Sequence, residues 1–212
     1  MKKLSILVAD LDIQITIEAL LQRTRALGIQ NLANGEDYDI VRHPNHDSGC
    51  FQSAHEIMRI YHKTHEYLMV IFDREGSGKE HRKSAAEIET LVEQRLSQNG
   101  WENRCCVIIP DPELEAWAWS DSEHVVSELG WTGRRPSLKE WLITKRLLER
   151  GKVKPTRPKE AMEAALREAR RPKSSSIFGR LAQKVDFAEC SDRAFLKMKS
   201  TLQLWFGASN EG

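Results

Sequence analysis

Pairs of acidic residues follow three apolar runs in the chain, and their chemistry is that of a metal site. The runs cover residues 6–9, 69–72 and 107–109, and the acids after them are Asp10 and Asp12, Asp73 and Glu75, and Asp111 with Glu113 and Glu115. Short runs rich in Val and Ile are typical of buried parallel strands, whose carboxyl ends form a common crevice. Carboxylates gathered there repel one another unless a cation neutralises them, which indicates a hard metal ion such as Mg²⁺. The alternative is that these acids cap the following helices or stay in solvent.

Four of these acids are the predicted metal ligands: Asp10, Asp12, Asp73 and Glu75. Gly76 and Gly78 ease a turn after the third strand, so that the two acids at its end could face one cation. The first strand is expected to lie beside the third. This arrangement would bring the acids of both strands to the same Mg²⁺ or Mn²⁺ ion.

Glu115 is a further candidate for the site. Its neighbours Leu114 and Trp117 predict partial burial, and a buried carboxylate needs a partner such as a metal ion or an arginine. Glu115 could instead serve, with Glu113 and Asp121, only as a favourable negative charge near a helix start. The predicted catalytic residues are Asp10, Asp73 and Glu115.

The segment from His43 to Cys50 holds two histidines, Asp47 and a cysteine close together. Its spacing matches no closed zinc site. We therefore expect a solvated loop beside the crevice, in which His46 could orient a water molecule or a phosphate. The turn at residues 75–79 lacks the glycine and the hydroxyl residue of a phosphate-binding loop, so nucleotide binding there is disfavoured.

The charge of the chain is divided along its length. Residues 1–129 contain 13 Lys and Arg against 22 Asp and Glu, whereas residues 130–185 contain 16 against 5. An acidic part that could hold a metal and a basic part that could hold phosphates favour an enzyme acting on nucleic acid. The alternatives are that the two parts neutralise each other, or that each binds a protein partner. The predicted phosphate contacts are Lys79, Arg82, Arg134, Arg135, Lys145, Arg146, Arg170, Arg171 and Lys173.

The order of strand-like and helix-like segments predicts an α/β fold: a Rossmann-like, parallel four-stranded sheet flanked by helices, followed by an α-helical C-terminal portion. Strands are predicted at residues 4–9, 38–42, 67–72 and 104–109, and helices between them at 16–27, 52–63 and 79–98. Further helices are predicted at 112–119, 122–129, 137–149, 159–170, 176–185 and 192–205. Ser137 and Glu140 would form a capping box. The predicted domains are an α/β domain at 1–121 and a helical portion packed on it at 122–212.

Length and composition limit the class of protein. A chain of 212 residues is long enough for one well-buried domain with a small appendage. No apolar run approaches the roughly 18 residues of a membrane span, and Asp10 and Asp12 interrupt any signal-peptide core. We therefore expect a cytoplasmic protein without membrane contact, whose four cysteines stay reduced.

The acid Asp10 and the later pair Asp73-x-Glu75 resemble the TOPRIM fold, the metal-binding module of topoisomerases, primases and overcoming-lysogenization-defect nucleases. That module has an acid at the end of its first strand and a DxD pair at the end of a later one. The chain departs from it with Asp10 in place of the usual Glu and with Glu75 in place of the second Asp. It supplies no obvious tyrosine nucleophile, which argues against topoisomerase-type strand passage.

A closer resemblance, which spans most of the chain, is to small bacterial TOPRIM-like proteins associated with phage defence. The residues that carry it are Pro110, Glu113, Glu115, Ala116, Trp117 and Asp121 after a strand end, with a looser match from Cys190 to Phe195. The chain is similar in particular to the small component of methylation-associated anti-phage systems. This resemblance implies a role in bacterial anti-phage defence, with other defence-system proteins as partners.

Together these features predict Mg²⁺-assisted phosphodiester cleavage of nucleic acid. The four metal ligands would hold the cation, Glu115 would complete or steady the site, and a water molecule on the metal would attack the phosphorus. The basic part would position the nucleic-acid backbone. The alternative is a non-catalytic subunit that binds a larger defence effector and uses the acids only to hold its shape.

Overall fold

Four strands form one sheet in the computed structural model, which describes residues 1–120, 122–186 and 190–207. The strands are β1 (Lys2–Val8), β2 (Tyr38–Arg42), β3 (His65–Ile71) and β4 (Cys105–Ile108). They lie in the order β2-β1-β3-β4, and every neighbouring pair is parallel. The predicted α/β class, with a parallel four-stranded sheet flanked by helices and a helical C-terminal part, is confirmed.

The described residues also form ten α-helices. Those before the last strand are α1 (Leu11–Leu21), α2 (Thr24–Leu27), α3 (His46–Met58) and α4 (Ala85–Leu96). Those after it are α5 (Glu115–Ala118), α6 (Glu123–Glu128), α7 (Leu138–Thr144), α8 (Pro158–Glu168), α9 (Ser175–Lys184) and α10 (Arg193–Phe206). The C-terminal helices pack on the sheet domain, since α9 contacts α1 and α10 contacts β4.

The central strands are buried on both faces toward their carboxyl ends, which is why apolar residues predominate there. In β1, Leu4, Ile6 and Leu7 have no exposed surface, and β3 is equally inaccessible from Leu68 onward. The four cysteines are free thiols, as predicted, and two of them are buried in this core.

The strand order places a crevice between β1 and β3. From β1 the chain moves to β2 on one side, and from β2 it crosses to β3 on the other side of β1. Open α/β sheets bind ligands at the carboxyl edge where the order reverses in this way. Val8 is paired with Ile71, so Asp10 and Asp73 each follow two residues later at neighbouring strand ends.

Some helices begin elsewhere than predicted because side chains cap them. α1 begins earlier than residue 16, since Asp10 Oδ1 accepts a hydrogen bond from Ile13 N at 2.9 Å. α4 begins later than residue 79, since Ser84 and Glu87 form a capping box at its start. The capping box predicted for α7 is present, although this helix ends before residue 149.

The position of α3 corrects the sequence interpretation most. It begins at His46, so part of the predicted loop at residues 43–49 is helical and Asp47 lies in the first turn. Gly49 permits this arrangement, because a Cβ at that position would lie 2.2 Å from the ring of His43. The helix ends at Met58, before the predicted residue 63.

The free edge of β4 is covered by side chains from α4 and α10. The backbone N–H groups of Val107 and Ile109 donate to the carboxylates of Glu93 and Glu89, at 2.9 and 3.1 Å. Lys197 on α10 donates to the Val107 carbonyl at 2.9 Å and also to both carboxylates. These groups occupy the backbone positions that a further strand would need, so the edge is protected.

Arg193 strengthens the same contact. Its two terminal nitrogens donate to the two oxygens of Glu89, each at 2.9 Å. Glu89 is 3% exposed, so this bidentate pair fixes α10 against the sheet through a buried carboxylate.

We expect Glu89→Ala to lower the free energy of unfolding by about 2–3 kcal/mol, because it removes the buried acceptor that Arg193 and Lys197 share. The loss stays below that of a fully buried pair because the Arg193 side chain is 48% exposed. Urea unfolding followed by circular dichroism measures it. Gln94→Ala, at an exposed position of α4, is the matched control; equal losses in the two variants would contradict this role.

Candidate functional site

Five carboxylates from separate parts of the chain gather at the carboxyl edge of the sheet. They follow β1, begin α3, follow β3 and lead into α5. We refer to them as the acidic cluster: Asp10, Asp47, Asp73, Glu113 and Glu115. The cluster lies where the strand order reverses, which is the expected ligand position in such a sheet.

Asp73 is the centre of the acidic cluster. It is 7% exposed, and its Oδ1 accepts a hydrogen bond from Leu114 N at 2.8 Å. Its own backbone N–H donates to Oδ1 of Asp47, also at 2.8 Å. These two bonds tie the end of β3 to α3 on one side and to the segment before α5 on the other.

One oxygen each of Asp10, Asp47 and Asp73 is engaged by a backbone N–H. A carboxylate has two oxygens and several lone pairs, so each group retains the capacity to bind a ligand. The backbone bonds also fix the orientation of the three side chains, which is what a preorganised site requires.

Burial and mutual repulsion oppose the charged forms of these acids. Burial raises the pKa of Asp73 well above its ordinary range, and the negative charges of Asp47, Glu115 and Asp10 raise it further. Burial also raises the pKa of Asp47, although the hydrogen bond from Asp73 N acts in the opposite direction. A carboxylate in such surroundings keeps its charge only beside a cation or another positive group.

Glu113 lies two residues before α5 and Glu115 begins it, and they are 8% and 3% exposed. Burial, and then the charge of Glu115, raise the pKa of Glu113 to about 7. Oε2 of Glu113 is buried and has no hydrogen-bond partner in the described part of the chain. Such an atom is unfavourable as it stands, so it is a point at which a proton or a cation would be stabilised.

Two lysines of the C-terminal portion bring positive charge to the acidic cluster. Lys173 Nζ lies 3.9 Å from Glu115 Oε1 and 3.0 Å from Glu163 Oε1. Burial lowers the pKa of Lys159 in α8, but the carboxylates, Glu115 first among them, raise it above its ordinary value. The basic part of the chain therefore contributes to the site directly.

A crevice of about 480 Å³ opens beside Asp10. It lies between the start of α1, which contributes Asp12, and the segment from the end of β2 to the start of α3, which contributes Arg42 and His46. Its volume falls within the range of small-ligand sites.

The predicted site residues divide into two sets. Asp10, Asp73 and Glu115, the predicted catalytic residues, come together in the acidic cluster. Asp12 is half-buried in the first turn of α1, where its charge reaches Glu115. Glu75 is exposed and acts on the cluster only through its charge. These two predicted metal ligands therefore lie at the rim of the cluster.

The sequence analysis does not identify Asp47 and Lys159 as site residues. Asp47 belongs to the segment interpreted as a solvated loop, although it too is an acid that follows a predicted strand, and that signal could have found it. Lys159 lies in a helix far along the chain, and no local pattern marks it. Asp121 lies outside the described residues.

The chemistry of the acidic cluster suits a hard cation, because carboxylate oxygens are the ligands that Mg²⁺ prefers. Asp10, Asp47 and Asp73 are the side chains best placed to hold one. Within residues 1–120, 122–186 and 190–207, no three His, Cys, Asp or Glu side chains already stand in an arrangement that could hold a metal ion. A bound cation would therefore require these side chains to move, and Mg²⁺ stays a prediction.

The predicted phosphate contacts are spread over several elements. Lys79 lies over the ring of Phe51, 5.3 Å from its centroid. Arg134 donates to the Glu168 carbonyl at 3.2 Å, at the end of α8 opposite to Lys159. That helix spans about 16 Å, which separates Arg134 from the acids. The remaining predicted contacts are exposed: Arg82, Arg135, Lys145, Arg146, Arg170, Arg171 and Lys173.

No protein-family model, curated protein or solved structure matches the chain. The resemblance to TOPRIM-like proteins of phage defence therefore stays a prediction from the sequence. None of the helices in the described ranges is both long enough and apolar enough to cross a bilayer.

We expect Glu113→Gln to change the pH dependence of the free energy of unfolding, measured with a metal chelator in the buffer. The pKa of Glu113 is raised from 4.5 to about 7, so its stabilising effect is present below pH 4.5 and is lost as pH rises through about 7. The glutamine side chain of the variant cannot ionise. Over this pH interval the free energy of unfolding of the wild type should therefore fall by on the order of 2 kcal/mol relative to that of the variant. Urea unfolding across this interval measures the difference. The control variant Glu102→Gln, at an exposed position, should show the same pH dependence as the wild type. If Glu113→Gln also shows the wild-type pH dependence, the burial of Glu113 is contradicted.

Proposed function

We propose that the protein is a Mg²⁺- or Mn²⁺-dependent phosphodiesterase that cleaves nucleic acid and acts in bacterial anti-phage defence. The observation that carries the proposal is the position of Asp73. It is a buried acid with a strongly raised pKa, surrounded by Asp10, Asp47 and Glu115, at the edge where sheets of this kind bind ligands. Perturbed acids in such a crevice are typical of functional sites.

In this proposal Asp10, Asp47 and Asp73 hold the cation, with Asp12 and Glu75 at the rim. When bound, the ion supplies charge neutralisation and a more acidic water molecule for attack on phosphorus. We choose Asp47 as a cation ligand in preference to Asp12 and Glu75. Asp47 is hydrogen-bonded to the backbone of Asp73, whereas Glu75 is exposed.

The lysines give the site a way to bind an anion despite its acids. Lys159 and Lys173 lie beside Glu115, and their ammonium groups can contact the charged oxygens of a scissile phosphate. The charge of Glu115 attracts both lysines, so we assign Glu115 a positioning role. The division of charge along the chain supports this arrangement, because the basic part reaches the acids through α8.

The defence role rests on the resemblance of the segment from Pro110 to Trp117 to small phage-defence proteins. Other defence-system proteins are the partners that this resemblance implies. The proposed compartment is the cytoplasm, which the composition of the chain favours.

A non-catalytic subunit of a larger defence effector is the second candidate, and one observation favours it. Each of the proposed cation ligands, Asp10, Asp47 and Asp73, already accepts a hydrogen bond from a backbone N–H. Lys173 also lies near Glu115. The acidic cluster could therefore join β1, α3, β3 and α5 without a metal ion.

Asp73→Asn separates the two functions. The amide oxygen can still accept the bond from Leu114 N, but the group no longer carries a charge. We expect cleavage of single-stranded DNA, duplex DNA or RNA with Mg²⁺ or Mn²⁺ to fall by roughly 100-fold or more. The matched control is Asp111→Asn, at an exposed position, which should retain activity. Cleavage that survives Asp73→Asn, or a wild type that cuts none of these substrates, would overturn the enzyme proposal.

Cation binding gives an independent test. A ligand that binds only the folded state raises the melting temperature in a concentration-dependent way. We expect Mg²⁺ to do so in a chelator-treated wild type and to lose this effect in Asp47→Asn, as measured by scanning calorimetry. An equal response in both proteins would exclude Asp47 from the site.

A further inference from the structure

We infer that the crevice beside Asp10 binds one unpaired nucleotide of the substrate, with Arg42 and His46 contacting its phosphate. This inference rests on the proposed function, because it places the substrate strand next to the acids that would act on it. The crevice shares Asp10 with the acidic cluster and extends to Arg42, the last residue of β2. A nucleotide held there would have its neighbouring phosphodiester within reach of the cluster.

The two sides of the crevice differ in charge. Asp10 and Asp12 form the side next to the acidic cluster, whereas Arg42 and His46 form the side made by β2 and the start of α3. A phosphate is repelled by the first side and attracted by the second. A guanidinium can bind two phosphate oxygens at once, which makes Arg42 the stronger contact.

Apolar groups complete the crevice. Leu11 and Pro44 line it, and Leu11 is 42% exposed, so its side chain is available to a sugar or to the face of a base. The volume of about 480 Å³ is within the range of sites for single small ligands. Cationic and apolar groups in one small crevice match the two parts of a nucleotide.

The segment that carries His46 is held in a fixed position. The Asn45 N–H donates to Nδ1 of His43 at 3.0 Å, and Nε2 of the same ring is hydrogen-bonded to Ser53 Oγ at 3.0 Å. His46 itself has a φ of 50°, which is uncommon for a residue with a side chain. Backbone conformations of this kind persist where the surrounding structure imposes them, frequently at binding sites.

A base in a duplex is paired and stacked, so it can enter a crevice on the protein surface only after it leaves its partner. Proteins that take a single nucleotide into a pocket act on single strands or extrude the nucleotide, which costs stacking energy. The inference therefore assigns a single strand, or an unpaired end, as the preferred substrate.

The test uses Arg42→Ala with Arg25→Ala as matched control. Arg25 is equally exposed but lies in α2, beyond the far end of α1. Kinetics are measured on oligo(dT) or oligo(U), whichever the wild type cleaves, and on the matching duplex. Binding of the same labelled strand is followed by fluorescence anisotropy with Ca²⁺ in place of Mg²⁺. We expect Arg42→Ala to raise KM and Kd by about tenfold or more, with a smaller change in kcat.

Thymidine 5′-monophosphate should compete with the labelled strand in the wild type, whereas thymidine should not. Equal binding by the Arg42→Ala and Arg25→Ala variants, or equal use of duplex and single strand, would overturn the subsite while leaving Asp73-dependent cleavage intact. Arg42-dependent binding without any cleavage would support the subsite and overturn the proposed catalysis. A wild type that neither binds nor cleaves these strands would overturn both.

Discussion

The crowding of carboxylates around Asp73 is the constraint on which the rest of the site depends. The Asp73 side chain is almost fully buried. Hydrogen bonds from the Asp73 N–H and to its Oδ1 join the end of β3 to α3 and to the segment before α5. The chain could not move Asp73 into solvent without breaking both bonds. Because a buried charge is unfavourable, the site must hold a proton, a lysine or a cation. Lys159 of α8 and Lys173, between α8 and α9, supply part of that charge.

The scaffold leaves the carboxyl edge of the sheet as the place for a ligand. The outer edge of β4 is closed by Glu89, Glu93, Arg193 and Lys197, which bind its backbone groups. These residues are charged, yet they have a structural role and need no ligand. The acidic cluster differs from them because its carboxylates face one another and because Oε2 of Glu113 lacks a partner. Buried charged residues therefore do not indicate a ligand site when they are paired with opposite charges. They indicate one when charges of the same sign are buried together without enough partners.

Much of the fold could be predicted because strand burial leaves a direct trace in the sequence. β1 and β3 end in apolar runs, at residues 6–8 and 68–71, and the parallel order of these ends brings Asp10 and Asp73 together. Asp47 was not predicted as a site residue because Pro44 and Gly49 made its segment resemble a loop. In the structure Gly49 is needed for close packing of α3 against His43. Lys159 could not be found from local patterns, since its place depends on how α8 packs against α5. The basic residues show the same limit: their number was readable, but not which of them would reach the acids.

The most direct test of the account is a crystal structure of the protein with Mn²⁺, in which anomalous scattering locates the ion. The account predicts a single strong peak at the carboxyl edge of the sheet, at ligand distance from Asp10, Asp47 and Asp73, and its loss in Asp73→Asn. A wild-type structure at saturating Mn²⁺ with no peak there, and with Asp47 still bonded to the backbone of Asp73 as the only partner of its carboxylate, would contradict it.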